Sequence, residues 1–222
     1  GPWTNIPGAT SNTYATTVGV DTYFQLEMTC TASASVATST PVLVVSNPFY
    51  NCYCNTVNAG GDGSLLNEVA MNGYVNNTSA SNPTASPYYT AFTNGPSVIQ
   101  GMDYSLDVTV QSPSIYTGAI VSVWIDYDHN GAYDASEWTQ VGTNIAGGTT
   151  ATVNIAVPIT ALTGNTGLRI RSRGAFNQNG AGDACTNMGS GETEDYVINI
   201  LPAPNCANPT NIVVNTEIDS IL

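Results

Sequence analysis

The chain has 222 residues, of which 42% are hydrophobic and only 9% are charged, and its formal net charge is −13. It contains no lysine, and sixteen acidic residues stand against three arginines. Such a surface repels phosphate groups, which argues against nucleic acid and anionic membranes as partners. The lack of a long apolar run argues against membrane insertion.

The predicted elements are almost all strands, because apolar and polar residues alternate with a period of two between clusters of glycine, asparagine and proline. We therefore expect an all-β fold, an antiparallel β-sandwich of jelly-roll-like form. Residues 72–100 lack this pattern and predict long loops or short edge strands. In chain order, the alternating runs cover residues 23–28, 41–45, 105–110, 120–125, 152–157, 167–171 and 196–200.

Composition predicts three pieces, at residues 1–46, 47–201 and 202–222. The last piece opens with Pro202-Ala203-Pro204, which is typical of a linker. The strand-like run that follows the linker has no room to find neighbouring strands within this sequence. We therefore expect the middle piece to be the complete domain and both outer pieces to be partial ones.

Residues 126–137 have the oxygen spacing of a calcium loop, with side-chain oxygens at loop positions 1, 3, 5, 9 and 12. Gly131 stands at position 6, where such a loop turns sharply, and position 7 contributes only its carbonyl. Strand patterns flank the loop, so it should join two strands. The alternative to a calcium loop is a β-turn that binds nothing. His129 stands at a non-ligating position of the loop and is expected to point into solvent. The predicted Ca²⁺ ligands are Asp126, Asp128, Asn130, Ala132, Asp134 and Glu137.

A second cluster combines acidic and basic residues on two predicted strands. Strand alternation places Glu192 and Glu194 on one face and Asp195 on the other. We expect the arginines to lie near the glutamate face and neutralise it through bidentate pairs. The alternatives are a solvated ladder of charges, a second metal site, or outer support for the first site. The arginines share one strand face: Arg169, Arg171 and Arg173.

Five cysteines with spacing unlike that of a zinc site indicate an oxidising, extracellular setting. Their connectivity does not follow from one sequence. The preferred bridge is Cys54 with Cys185, which would join the start of the middle piece to the loop before its last strand. A second bridge, predicted on weaker grounds, is Cys52 with Cys206, which would join the two ends of the middle piece. The odd number of cysteines implies a partner outside the chain or a free thiol.

Catalytic signatures are sparse. The chain has one histidine and no Gly-x-Ser-x-Gly elbow, and its carboxylates are better explained as calcium ligands and arginine partners than as a glycosidase pair. Clustered tyrosines could stack on sugar rings, although half-buried edge packing is the more common role. These tyrosines are Tyr50, Tyr53, Tyr88, Tyr89 and Tyr104.

Gly191-Glu-Thr-Glu-Asp-Tyr196 resembles the signature of the GEVED domain, found in secreted and surface proteins of bacteria that use type IX secretion. Thr193 stands where the family has valine. Three further motifs match the family in order and spacing across roughly residues 50–200. They are Tyr53-Cys54, Trp124-Ile125-Asp126-Tyr127-Asp128 and Leu168-Arg-Ile-Arg171.

The flanks resemble other extracellular repeats. Residues 3–10, 22–25 and 28–30 look like the last strands of an immunoglobulin-like repeat, which implies that Cys30 pairs with an upstream cysteine. Residues 206–212 look like the opening of a fibronectin type III repeat. The GEVED resemblance carries no assigned chemistry, so it implies a setting rather than an activity.

Together these observations predict a noncatalytic, calcium-stabilised structural or adhesive module of a large secreted or cell-surface bacterial protein, in an extracellular fibre. Its expected partners are neighbouring domains or subunits of the same protein, and surface glycans. The alternative is a carbohydrate-binding accessory domain of a secreted hydrolase or protease, and an enzyme is the third hypothesis.

Overall fold

The computed structural model describes residues 2–11, 13–54, 64–77, 88–111 and 117–204. The chain divides into two compact units, Gly1–Pro48 and Phe49–Leu222. Within the described residues the regular structure is all β, apart from short 3-10 turns. No helix among these residues is long and apolar enough to cross a membrane.

The first unit consists of two short antiparallel ladders. β1 (Thr22–Phe24) and β2 (Glu27–Thr29) fall in the first predicted run, and β3 (Val36–Thr38) and β4 (Val42–Val44) follow. β1 pairs with β4, and β2 pairs with β3. None of the described residues of this unit is buried, so the ladders form no core of their own.

The second unit contains two sheets. The larger has the order β11-β10-β13-β14-β7, with β8 also paired to β14, and the smaller has the order β12-β9-β5-β6. All neighbours are antiparallel except β7 and β8, which run parallel to β14. The strands are β5 (Leu66–Met71), β6 (Tyr74–Asn76), β7 (Tyr89–Phe92), β8 (Ser97–Ile99), β9 (Asp103–Val110), β10 (Gly118–Ile125), β11 (Trp138–Ala146), β12 (Thr150–Ala156), β13 (Gly164–Gly174) and β14 (Glu192–Leu201).

The core lies between these two sheets, and this confirms the predicted antiparallel β-sandwich. β9 reads Asp-Tyr-Ser-Leu-Asp-Val-Thr-Val, and its inward residues Leu106, Val108 and Val110 are completely buried. They pack in one cluster with inward residues of the larger sheet, such as Val121 and Ile198. Side chains alternate between the faces of a strand, so the period-two pattern marks the buried face of β9 correctly.

The larger sheet is covered on its outer face as well. Every residue of β10 is buried, because Tyr53, Tyr133 and Ala184 pack around Trp124 of β10 in a second cluster on that face. Chain segments before β5 and between β13 and β14 supply this cover. Both faces of β10 and β13 are therefore interior surfaces, and polar residues on either face need partners within the protein.

The predicted bridge between Cys54 and Cys185 is confirmed, and it closes a separation of 131 residues. It ties the segment before β5 to the loop before β14. Cys206, the predicted partner of Cys52, lies outside the described residues, as does most of the fibronectin-like stretch at 202–222. Cys30 is exposed and forms no disulfide with a described residue.

We predict that removing this bridge destabilises the second unit strongly, because a crosslink across a long loop restricts the unfolded chain. Replacing Cys54 and Cys185 together by serine should lower the free energy of unfolding by about 2–5 kcal/mol. Urea titration followed by tryptophan fluorescence measures the loss, and Cys30→Ser is the matched control. Equal midpoints for the double variant and the control would contradict this role.

Candidate metal centre

Residues 126–137 connect β10 to its antiparallel neighbour β11, so the loop joins two strands as predicted. Asp126 follows the last residue of β10 directly, and its backbone N–H donates to the Gly167 carbonyl at 3.1 Å. Gly131 has φ of +79°, the left-handed conformation that glycine adopts without strain. The loop ends in the 3-10 turn Ala135–Glu137, which leads into β11.

Three predicted ligands converge at this loop. Carboxylate oxygens of Asp126, Asp128 and Glu137 all lie within 4.8 Å of one another. Asp126 is completely buried and Glu137 is 9% exposed, whereas Asp128 is open to solvent. An oxygen cluster with one open side is what a hard divalent cation such as Ca²⁺ requires.

Two more predicted ligands join this cluster through hydrogen bonds. The Asn130 side-chain amide donates to Asp128 Oδ2 at 3.2 Å and to Asp134 Oδ2 at 2.8 Å. Ala132 is exposed, and its N–H donates to Asn130 Oδ1 at 2.7 Å. The five side-chain oxygen groups predicted from the spacing therefore occupy one connected turn.

Backbone amides hold the two buried carboxylates in place. Asp126 accepts from the N–H groups of Asn130 and Gly131 at 3.2 and 3.1 Å. Glu137 accepts from those of Tyr127 and Asp134 at 2.7 and 3.0 Å. Burial raises the pKa of Glu137, and the charges of Asp126 and Asp128 raise it further, while the two amides oppose the rise. A bound cation would relieve the repulsion among the carboxylates.

Tyr53 supports this site, a role that the sequence did not predict, since it offered Tyr53 only as a tyrosine that could stack on sugars and as part of a family motif. Its hydroxyl donates to Asp126 Oδ2 at 2.7 Å and accepts from the Gly167 N–H at 3.1 Å. Its ring stacks on Tyr133 with centroids 4.3 Å apart. A Cβ at Gly167 would overlap both the Tyr53 ring and the Tyr133 hydroxyl. The glycine inside a strand was the available signal, because it often marks close approach of another group.

His129 does not point freely into solvent, which corrects the prediction. Its ring lies 4.7 Å from that of Phe49, centroid to centroid, and the residue is partly buried. Phe49 begins the short turn that leads towards Tyr53. The segment that contains Phe49 and Tyr53 therefore contacts residues 126–137 at two places, His129 and Asp126.

The predicted bidentate arginine pair exists, but its partner is Asp195. Arg169 donates Nε to Asp195 Oδ1 and Nη2 to Oδ2, both at 2.6 Å. Its remaining donors reach the Cys54 carbonyl at 2.7 Å and the Ala184 carbonyl at 2.9 Å. Burial alone would lower the pKa of Arg169, but its hydrogen bonds to Asp195 and the charge of Asp195 outweigh burial and raise it. The pair locks the disulfide segment onto the larger sheet.

Arg171 lies on the same face, completely buried. Its Nε donates to Thr193 Oγ1 at 2.9 Å, and Nη1 donates to the Ala184 carbonyl at 3.2 Å. Burial, with a further effect from the charge of Arg169, lowers the pKa of Arg171 to about 10. The arginine face is thus an internal surface rather than a solvated ladder.

The prediction that the arginines neutralise Glu192 and Glu194 is wrong. In the antiparallel register, Arg169 pairs with Asp195 and Arg171 with Thr193. Cross-strand partners project to the same face and neighbours along the strand project to opposite faces. The two glutamates therefore point away from the arginines, into the space between the sheets, where both are completely buried.

The glutamates meet the smaller sheet through a chain of hydroxyl and amide groups. Tyr196 donates its hydroxyl to Glu194 Oε2 at 2.5 Å and accepts from Asn76 Nδ2 at 2.8 Å. Burial raises the pKa of Glu192 far above its ordinary value, and the nearby Glu194 adds to the rise. Two adjacent carboxyl groups in a β-sandwich core are a costly arrangement unless something compensates them.

Some of the predicted tyrosines meet beside β14. A cavity of about 140 Å³ is lined by Tyr50, Tyr53 and Tyr89, together with Tyr133 and Asp195. The Tyr89 hydroxyl donates to Asp195 Oδ2 at 2.8 Å. Tyr104 does not line this cavity; its hydroxyl accepts from the Ile99 N–H at 2.9 Å.

We predict that Gly167→Ala destabilises the second unit, because the new methyl group displaces the Tyr53–Tyr133 stack beside the loop. Overpacking of this kind costs about 1–3 kcal/mol of unfolding free energy. The matched control is Gly182→Ala, where a Cβ meets nothing within 4 Å. Denaturant titration of both variants measures the difference, and a loss no larger than that of the control would refute the packing role.

No curated protein matches the chain. Residues 120–199 match the family model of the GEVED domain. The matched region begins in β10 and ends in β14. It therefore contains residues 126–137, called the acidic loop below, the three arginines of β13, and the buried Glu192 and Glu194. Over these residues the chain carries a GEVED domain match.

Proposed function

We propose that residues 126–137 bind Ca²⁺ and that the chain is a noncatalytic, calcium-stabilised structural or adhesive module. The observation that carries the proposal is the convergence of the Asp126, Asp128 and Glu137 carboxylates within 4.8 Å. Their neighbours in the loop complete an oxygen-only donor set of the kind Ca²⁺ prefers. The proposed ligands are Asp126, Asp128, Asn130, the Ala132 carbonyl, Asp134 and Glu137.

Electrostatics supports occupancy of this loop by a divalent ion. Two like charges about 4 Å apart near a protein surface repel by about 4 kcal/mol, and three carboxylates meet here. The backbone amides that hold Asp126 and Glu137 offset only part of this repulsion. A divalent cation converts the repulsion into attraction and fixes the loop geometry.

The proposed effect of Ca²⁺ is to stiffen one end of the second unit. Asp126 accepts a hydrogen bond from Tyr53, and Tyr53 precedes Cys54 of the disulfide. An ion on Asp126 therefore restrains the loop and, through Tyr53, the segment that enters the sandwich. This arrangement suits a spacer that has to resist deformation.

Three features support a secreted or cell-surface setting. The disulfide is typical of oxidising compartments. The chain has no lysine and three arginines, so it offers few cleavage sites to trypsin-like proteases. The GEVED match and the resemblance of the flanks to extracellular repeats favour a large bacterial protein exported by type IX secretion. Its partners are then neighbouring domains or subunits, as in an extracellular fibre.

The calcium proposal predicts a melting temperature that depends on the ion. For a Kd of about 10⁻⁴ M, typical of extracellular modules, 10 mM Ca²⁺ adds about 2.7 kcal/mol of stability. That gain corresponds to a rise of about 5–10 °C for a unit of this size. Calorimetry in Ca²⁺ and in chelator measures it.

Asp126→Asn and Glu137→Gln should each abolish most of this rise, because each removes one ligand charge. Asp103→Asn is the matched control, since Asp103 is exposed and lies outside the loop. Wild-type protein that melts at the same temperature with Ca²⁺ and with chelator would rule out the proposed ion.

The cavity beside β14 favours one alternative, a carbohydrate-binding accessory domain of a secreted hydrolase or protease. Aromatic side chains next to a carboxylate can combine stacking on a sugar ring with hydrogen bonds to its hydroxyls. Tyr50 and Tyr89 are partly exposed at this cavity. Asp195 is already paired with Arg169, which limits what it can offer a sugar.

The alternative predicts binding on a glycan array that Tyr50→Ala weakens at least about tenfold, the equivalent of about 1.4 kcal/mol. Tyr23→Ala, an exposed tyrosine of the first unit, controls for nonspecific aromatic contacts. Absence of wild-type binding to any glycan, or equal binding by both variants, would favour the structural role instead.

A further inference from the structure

The interior of the sandwich contains a polar site that the acidic loop does not explain. Glu192 and Glu194 lie two residues apart on the core-facing side of β14, and both are completely buried. Ser172 is the cross-strand partner of Glu192. The Ser172 hydroxyl accepts from the Glu192 N–H at 3.3 Å and donates to the Ser64 carbonyl. Ser64, just before β5, therefore lies close to Glu192.

Several oxygens at this site lack well-formed hydrogen bonds to the described residues. Both carboxylate oxygens of Glu192 and the hydroxyl of Ser64 are buried without a well-formed hydrogen bond, and both residues are 0% exposed. The Leu66 N–H lies near enough to the Glu192 carboxylate to lower its pKa, but burial outweighs this effect. Buried polar atoms are nearly always paired in folded proteins. Unmet oxygens on neighbouring residues therefore point to a ligand that supplies positive charge.

The chain has no basic side chain to spare for this purpose. It contains no lysine, and all three arginines lie on the opposite face of the larger sheet. Arg169 is paired with Asp195, Arg171 donates to Thr193, and Arg173 donates to Ser190 and Gln178. No lysine or arginine of this chain therefore balances the negative charge of Glu192 and Glu194.

We propose that Glu192, Glu194 and Ser64 bind a second hard divalent cation of the Ca²⁺ type, between the two sheets. Two carboxylates balance the charge of one divalent ion, and the donors are all oxygens, which such ions prefer. Zinc is a poorer fit, because structural zinc sites use histidine and cysteine. The site is independent of residues 126–137 and goes beyond the proposed calcium loop.

The second ion would act on the fold differently from the first. It would bridge β14 of the larger sheet to the segment that enters β5 of the smaller sheet. The acidic loop instead joins neighbouring strands of a single sheet. The ion in the acidic loop would order that loop, and the second ion would link the two sheets.

Native mass spectrometry of the full chain in Ca²⁺ counts the ions directly. We expect two ions on the wild type and on Asp103→Asn, one on Glu192→Gln, and one on Asp126→Asn. The ion kept by Glu192→Gln at the acidic loop shows that this variant remains folded. If the loop proposal alone is wrong, the wild type and Asp126→Asn each carry one ion and Glu192→Gln carries none.

Equal ion counts for Glu192→Gln and the wild type would overturn the second site, because the glutamates would then be neutralised by protons. Ser64→Ala covers the case in which Glu192→Gln fails to fold, as judged by circular dichroism. This variant keeps both carboxylates and removes one neutral ligand. It should bind the second ion several-fold more weakly, and unchanged affinity for two ions would also overturn the proposal.

Discussion

A fully buried carboxylate at the end of β10 imposes the strongest constraint on this protein. Asp126 has no contact with solvent, and an uncompensated charge in that position would be very costly. Two backbone amides of its loop and the Tyr53 hydroxyl converge on it. Tyr53 can approach only because Gly167 has no side chain. The acidic loop, the segment before β5 and the centre of β13 are therefore shaped around one group.

The register of β13 against β14 distributes the remaining charge. It places Arg169 beside Asp195 on the outer face, and leaves Glu192 and Glu194 in the interior. A slip of one residue would exchange the faces and separate every pair. Removing one member of a buried pair such as Arg169–Asp195 costs about 3–5 kcal/mol. The register is thus specified by charge as well as by the aliphatic core.

Local patterns were predictable from the sequence, and contacts between distant segments were not. The oxygen spacing of residues 126–137 and the alternation in β9 are local, and both match the structure. β11 was expected as the strand after the acidic loop, but without bounds, because Trp138–Ala146 contains few apolar alternations. Short strands such as β7 gain their order by pairing with β14. Alternation also showed that Glu192 and Asp195 face opposite ways. It could not say which face of β14 lies beside the arginines of β13, since both faces of β13 are buried.

The central claim is that a divalent ion organises the acidic loop. A crystal structure grown in millimolar Ca²⁺, with anomalous differences measured at long wavelength, tests it most directly. We predict an anomalous peak bonded to oxygens of Asp126, Asp128 and Glu137 at about 2.3–2.6 Å. A loop that holds only water under these conditions, with its carboxylates turned apart, would contradict the claim.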